Sequence, residues 1–265
     1  MKKAPLHLIL FFSILGLSAK AQDTVYYNSR WGTTDAAHAF YYRTKVKSDA
    51  GWQVADHFLS GKVQMTGNYA DDSFHVQNGE FTWYDNKGII NHRCYFINGK
   101  LEGADTLYYP NGRKKVTGQN KDGDKDGQWT GYYLNGKIAG KTTFERGKET
   151  SSTFYNEDGS INKELKVFMK EANYPGGPAQ FLRFLNKSLK YPDVAVKGNI
   201  QGTVVVGFKI SREGVPSEFK VIQSVDKSLD EEALRVLKLM KDWEPAIMGG
   251  IYSDSYVNQP IVFHL

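Results

Sequence analysis

Turn signals return along residues 84–159 at a nearly constant step, and this period constrains the fold more than any other feature. Tyr84-Asp85-Asn86-Lys87-Gly88 is followed by Tyr108-Tyr109-Pro110-Asn111-Gly112 and Tyr132-Tyr133-Leu134-Asn135-Gly136. Phe154-Tyr155-Asn156-Glu157-Asp158-Gly159 is the last of the series. Gly79, Gly103 and Gly127 form a second series with a step of 24 residues. Each of these glycines precedes a strand-like run, such as Gln128-Trp129-Thr130-Gly131. Asn-Gly and Asp-Gly accept the positive φ of tight hairpin turns. A lone hairpin is marginal in water, so neighbours must join to bury the aromatic face. The period therefore predicts an all-β repeat sheet of stacked hairpins over residues 60–163, elongated and antiparallel. Residues 22–59 read as a lead-in segment, with a degraded unit between Trp52 and Tyr69.

Composition adds two bounds. There are 26 Gly and 16 Tyr in 265 residues, which suits strands joined by tight turns. The single cysteine, Cys94, cannot form an intrachain disulfide, so stability rests on packing; it reads as a buried strand residue.

The first residues read as an export signal, residues 1–21. Lys2 and Lys3 precede the apolar stretch Leu6–Leu17, and Ala19-Lys20-Ala21 is a small-x-small cleavage site. That stretch is about a dozen residues, short of the roughly 20 a spanning helix needs. Removing residues 1–21 takes away three lysines and no acid, which lowers the net charge from +5 to +2. No basic block suggests a nucleic-acid surface. The expected location is the periplasm or cell envelope, with inner-membrane anchoring as the alternative if the signal is uncleaved.

Catalytic and metal signatures are weak. The six His are scattered, and neither a Gly-x-Ser-x-Gly elbow nor metal ligands at helical spacing occur. Asp122-Gly123-Asp124-Lys125-Asp126-Gly127 opens like a calcium loop, but its twelfth position is Tyr133 where a bidentate Glu belongs. Gly140-Lys141-Thr142 ends like a phosphate loop, but Asn135 replaces the required glycine. The expectation is a protein that is not an enzyme, with no cofactor and no metal.

From residue 164 the texture changes. Pro178–Leu189 reads as a helix, Thr203–Ile210 and Glu218–Val225 as a strand hairpin, Ser228–Met240 as a helix and Ser255–Leu265 as a strand. Leu229, Ala233, Val236, Leu237 and Met240 make one apolar stripe, and Ser228 with Glu231 fits a capping box. The expected fold class is an α+β carboxy-terminal domain, helix–strand–strand–helix–strand with a three-stranded antiparallel sheet, following the repeat sheet.

Two resemblances follow from these residues. Gly-x-Trp-x-x-Tyr-Tyr-x-Asn-Gly-Lys at Gly127–Lys137 resembles the MORN-repeat variant, whose repeats serve as scaffolds or contact surfaces. Tyr174-Pro175-Gly176-Gly177, Tyr191-Pro192, Gly202-x-Val-x-Val-x-Phe-x-Ile, Gly214, Ser228-Leu229-Asp230-x-x-Ala233-Leu234, Trp243-x-Pro245-Ala246 and Pro260-Ile261-x-Phe263 resemble the TonB carboxy-terminal domain over residues 164–265. That resemblance implies docking of an extended peptide, the TonB box of TonB-dependent outer-membrane receptors, onto an edge strand by β-augmentation. The edge strand it points to carries Ser255, Tyr256, Val257, Asn258, Gln259, Ile261 and Phe263. Pro260 interrupts it, because it has no N–H to offer a guest. A tethered energy transducer would add a Pro-rich spacer, and the chain has only 8 prolines. Other envelope proteins are further expected partners; the competing readings are a structural or interaction envelope protein using the repeats as scaffold, and a membrane-anchored energy transducer if the signal is uncleaved.

Overall fold

A computed structural model describes residues 24–28 and 31–265, so the expected export signal lies outside the described residues. Twelve strands form one antiparallel sheet: β1 (Val25–Tyr27), β2 (Thr33–Thr34), β3 (Tyr41–Ser48), β4 (Gly51–Phe58), β5 (Val63–Tyr69), β6 (Gly79–Tyr84), β7 (Ile90–Ile97), β8 (Lys100–Tyr108), β9 (Lys114–Lys121), β10 (Asp124–Tyr132), β11 (Ile138–Glu145) and β12 (Lys148–Phe154). The strands from β3 to β12 pair in consecutive order, and β1 lies between β2 and β3. The residues expected as lead-in thus contribute β1 to β4 to the sheet, and β3 and β4 pair over eight positions. Nothing in that stretch carries the Asn-Gly turn code, so only its alternation could have announced it.

Two kinds of turn close the hairpins at opposite ends of the sheet, while the second glycine series, Gly79, Gly103 and Gly127, lies within β6, β8 and β10. At one end, Gly112 N donates to Tyr109 O and Tyr109 N to Arg113 O, both at 2.8 Å. The same pair of bonds recurs at Asp85, Tyr133 and Asn156. This is a type I turn closed by a glycine bulge, and the register shifts beside it at Trp83/Tyr84, Leu107/Tyr108 and Gly131/Tyr132. At the other end Asn98-Gly99, Asp122-Gly123 and Arg146-Gly147 have positive φ at both residues, the two-residue mirror-image turn. Asp122 and Gly123 of the calcium-like run are therefore a hairpin tip, and Asp124 to Asp126 continue into β10. Tyrosines tie successive units together. Tyr109 Oη donates to Tyr132 O and Tyr133 Oη to Tyr155 O, both at 2.7 Å.

The carboxy-terminal part contains β13 (Met169–Lys170), α1 (Gly177–Ser188), α2 (Asp193–Lys197), β14 (Gly202–Ile210), β15 (Pro216–Gln223), α3 (Lys227–Leu237), β16 (Ala246–Met248), β17 (Tyr252–Ser253) and β18 (Ser255–Phe263). The expected three-stranded antiparallel sheet has the order β15-β14-β18. A second small sheet, β13-β16-β17, and the short helix α2 go beyond the expected element order. Leu229, Ala233, Val236 and Leu237 of α3 lie fully buried with Val204, Val206, Phe208 and Ile210 of β14. Each large side chain buried there contributes roughly 1.5–3 kcal/mol.

The capping expectation needs correction. The cap of α3 is Asp226, whose carboxylate accepts from Ser228 N at 2.9 Å and from Ser228 Oγ at 2.5 Å. Asp226 reaches the first turn from extended backbone, and Ser228 already lies inside the helix. The helix also ends at Leu237, so Met240 packs from beyond its end.

Candidate functional site

Strand β18 occupies an outer position. It pairs with β14 in an unbroken register of nine residues, from Gly202 opposite Phe263 to Ile210 opposite Ser255. Among the described residues no strand pairs with its other side. Its side chains alternate: Ile261 and Phe263 are buried in the core, whereas Tyr256, Asn258, Pro260 and Val262 are exposed.

Pro260 decides which backbone groups face outward. It stands opposite Val205 and has no N–H, so the ladder to β14 stays complete only if its nitrogen points away from β14. Backbone direction alternates along an antiparallel strand. Tyr256, Asn258 and Val262 therefore direct N–H and C=O outward together with Pro260. Ser255, Val257, Gln259, Ile261 and Phe263 direct theirs to β14. The Pro260 carbonyl already accepts from the Gln259 amide at 3.0 Å. Position 260 thus offers a guest no donor and a preoccupied acceptor.

The seven residues expected on the edge are all on β18, but they divide by role. Tyr256 and Asn258 present open backbone. Ser255, Val257 and Gln259 line a groove beside the strand. Ile261 and Phe263 are 1% and 2% exposed, and their side chains hold the sheet to the helices. Val262 presents open backbone and was not among the expected residues. Counting by two from Pro260 is the sequence signal that identifies it.

The groove measures about 690 Å³. Its floor and near wall include Tyr174, Phe181, Trp243 and Val257; its far wall includes Met169, Lys170, Ile247 and Met248. Tyr174 meets Phe181 and Trp243 edge-on, with ring centroids 5.2 and 5.8 Å apart. Lys170 is paired with Glu244, which leaves the groove mostly apolar. Two polar atoms in its lining residues, Trp243 Nε1 and Ser255 Oγ, are buried without a hydrogen-bond partner among the described residues.

Comparison with known proteins bears on this strand. Residues 187–265 match the family described as Gram-negative bacterial TonB protein C-terminal. The match starts after the Tyr174-Pro175-Gly176-Gly177 segment and includes β14, β15, α3 and the whole of β18. At the level of the family it supports a TonB-like role in TonB-dependent transport, with outer-membrane receptors as the kind of partner and the envelope as the setting. No curated protein matches the chain. One similar solved structure is described as the crystal structure of the GtfA/B complex bound to UDP and GlcNAc. It is 13% identical, covers 54% of this chain and 27% of its own, and has a TM-score of 0.21, too low to carry an argument. Among the described residues no helix is long and apolar enough to cross a membrane.

Proposed function

We propose that this chain is an envelope binding protein, not an enzyme, that takes up an extended peptide on the outer edge of β18, such as the TonB box of an outer-membrane receptor. The observation that carries the reading is an unpaired strand edge running beside an apolar groove. An added strand satisfies the open N–H and C=O groups of Tyr256 and Asn258, while alternate guest side chains enter the groove. Each backbone bond nets roughly 0.5–1.5 kcal/mol. Four such bonds plus groove contacts, less the cost of ordering the peptide, correspond to an affinity around micromolar. Pro260 confines the main pairing to the amino-terminal half of the strand. In this reading residues 1–21 direct export, and the hairpin sheet is a MORN-variant scaffold.

The test is titration of the purified full chain with TonB-box peptides, followed by calorimetry. Asn258→Pro removes an outward donor while leaving the ladder to β14 intact, and a loss of at least tenfold is expected. Pro260→Val restores a donor, and a several-fold gain is expected. Absence of binding by the unaltered chain at millimolar peptide, or indifference to both substitutions, would refute the reading.

A further inference from the structure

The walls of the groove come from different parts of the chain. The near wall is β18 with Tyr174, Phe181 and Trp243. The far wall is β13 with β16, and these two strands, with Phe168 before β13 and the turn after β16, also contact the repeat sheet. Phe168 is fully buried and Ile247 is 7% exposed, packed in one cluster with Val116, Trp129, Phe144 and Phe154 of β9 to β12. Phe144 and Phe168 meet edge-on with ring centroids 6.2 Å apart. Met169, Ile247 and Met248 belong to both surfaces, lining the groove and packing with that cluster.

The turn between β16 and β17 is pinned as well. Gly250 N donates to Phe168 O at 3.0 Å. Gly249 lies so close to β10 that a Cβ on Gly131 would stand 1.9 Å from Gly249 O. Gly131 itself has no positive φ, so its lack of a side chain serves this approach and not a turn.

We infer that the carboxy-terminal end of the repeat sheet is a positioning element for the peptide groove, holding β13 and β16 where they line it together with β18. This rests on the peptide-binding reading above. Two strands of two and three residues cannot hold a wall alone. Their placement comes from the aromatic cluster behind them. Binding free energy and docking free energy are then linked, and the linkage is reciprocal.

The experiment compares the full chain with its Gly131→Ala variant, using the same TonB-box peptides. The added methyl pushes the β16–β17 turn off the sheet without touching β18 or the domain core. Affinity is expected to fall three- to tenfold. In the unaltered chain, uniformly labelled with ¹⁵N, the Trp129 indole N–H resonance is expected to shift on peptide addition, and this shift is expected to vanish in Gly131→Ala. Trp129 does not line the groove; its Nε1 donates to Gln119 O at 3.0 Å on the repeat sheet. A merely stabilising contact would leave that resonance still. If Gly131→Ala does not fold, Phe144→Leu replaces it with the same expectations. Failure of the unaltered chain to bind removes the peptide reading and this inference with it. Equal affinities together with an unmoved Trp129 resonance overturn this inference alone.

Discussion

Cys94 shows what burial does to a single group. It lies on β7 between Phe81 and Asp105 of the flanking strands and is 1% exposed. Burial, with the nearby charges of Asp105 and Glu80, pushes its thiol up from 9.0 to about 12. A protonated, enclosed thiol is a poor nucleophile. At pH 8 the native chain should resist a thiol reagent that labels the urea-unfolded chain promptly, and equal labelling rates would contradict the burial. The pH dependence has a definite sign. Below pH 9 the thiol is protonated in both states; between 9 and 12 the unfolded chain releases its proton first, so stability falls as pH rises. The urea midpoint should therefore drop more between pH 8 and 10 in the natural chain than in Cys94→Ala. The sequence showed a lone cysteine within a strand-like run, and that sufficed to expect burial. It did not show Asp105 beside it, because that neighbour depends on strand register.

Among the elements, α3 separates what periodicity reveals from what geometry decides. Its apolar stripe was legible, since i, i+4, i+7 and i+8 fall on one face of any helix. Its start was not, because both Asp226 and Ser228 have cap chemistry and only backbone direction chooses between them. The structure chooses Asp226, which is extended. Asp226→Ala should lower the urea midpoint more than Ser228→Ala, which removes one donor to the cap and leaves the carboxylate on Ser228 N. The reverse order would restore the capping-box reading. The bonds from Ser228 hold the Asp226 carboxyl below its usual value. Its contribution is thus present above the unfolded-state value and is lost as pH falls through the depressed one. Another tie on α3 had no signal in the sequence. Glu232 is buried, accepts from Lys190 N at 2.6 Å and pairs with Arg235, which fastens α3 to the end of α1. Strands β13, β16 and β17 were equally silent, being too short to show any period.

At the scale of the molecule, the sheet is nearly one-dimensional, since among the described residues the strands from β3 to β12 pair consecutively. Its apolar residues fall into separate clusters. One holds Val54, Met65, Tyr69, Phe81 and Cys94; the other joins the end of the sheet to Phe168 and Ile247. Stability in such an array is close to a sum of local terms. Deleting residues 22–59 should therefore weaken the first cluster and leave the groove intact. The shortened chain is expected to bind TonB-box peptides within twofold of the full chain, measured by the same calorimetry. A large loss would mean that strain passes along the whole sheet.

The hairpin period, the turn residues and the helix stripe were legible in the residue order alone. Each of these depends on neighbours within a few residues, where φ preferences and side-chain alternation act directly. Long-range packing set the rest: that the sheet begins at Val25 among the described residues, that β18 is an outer strand, that β13 and β16 line the far side of the groove, and that Gly131 receives Gly249. Those features join residues far apart in the chain, and no local preference encodes the distance between two surfaces that meet only after each has folded.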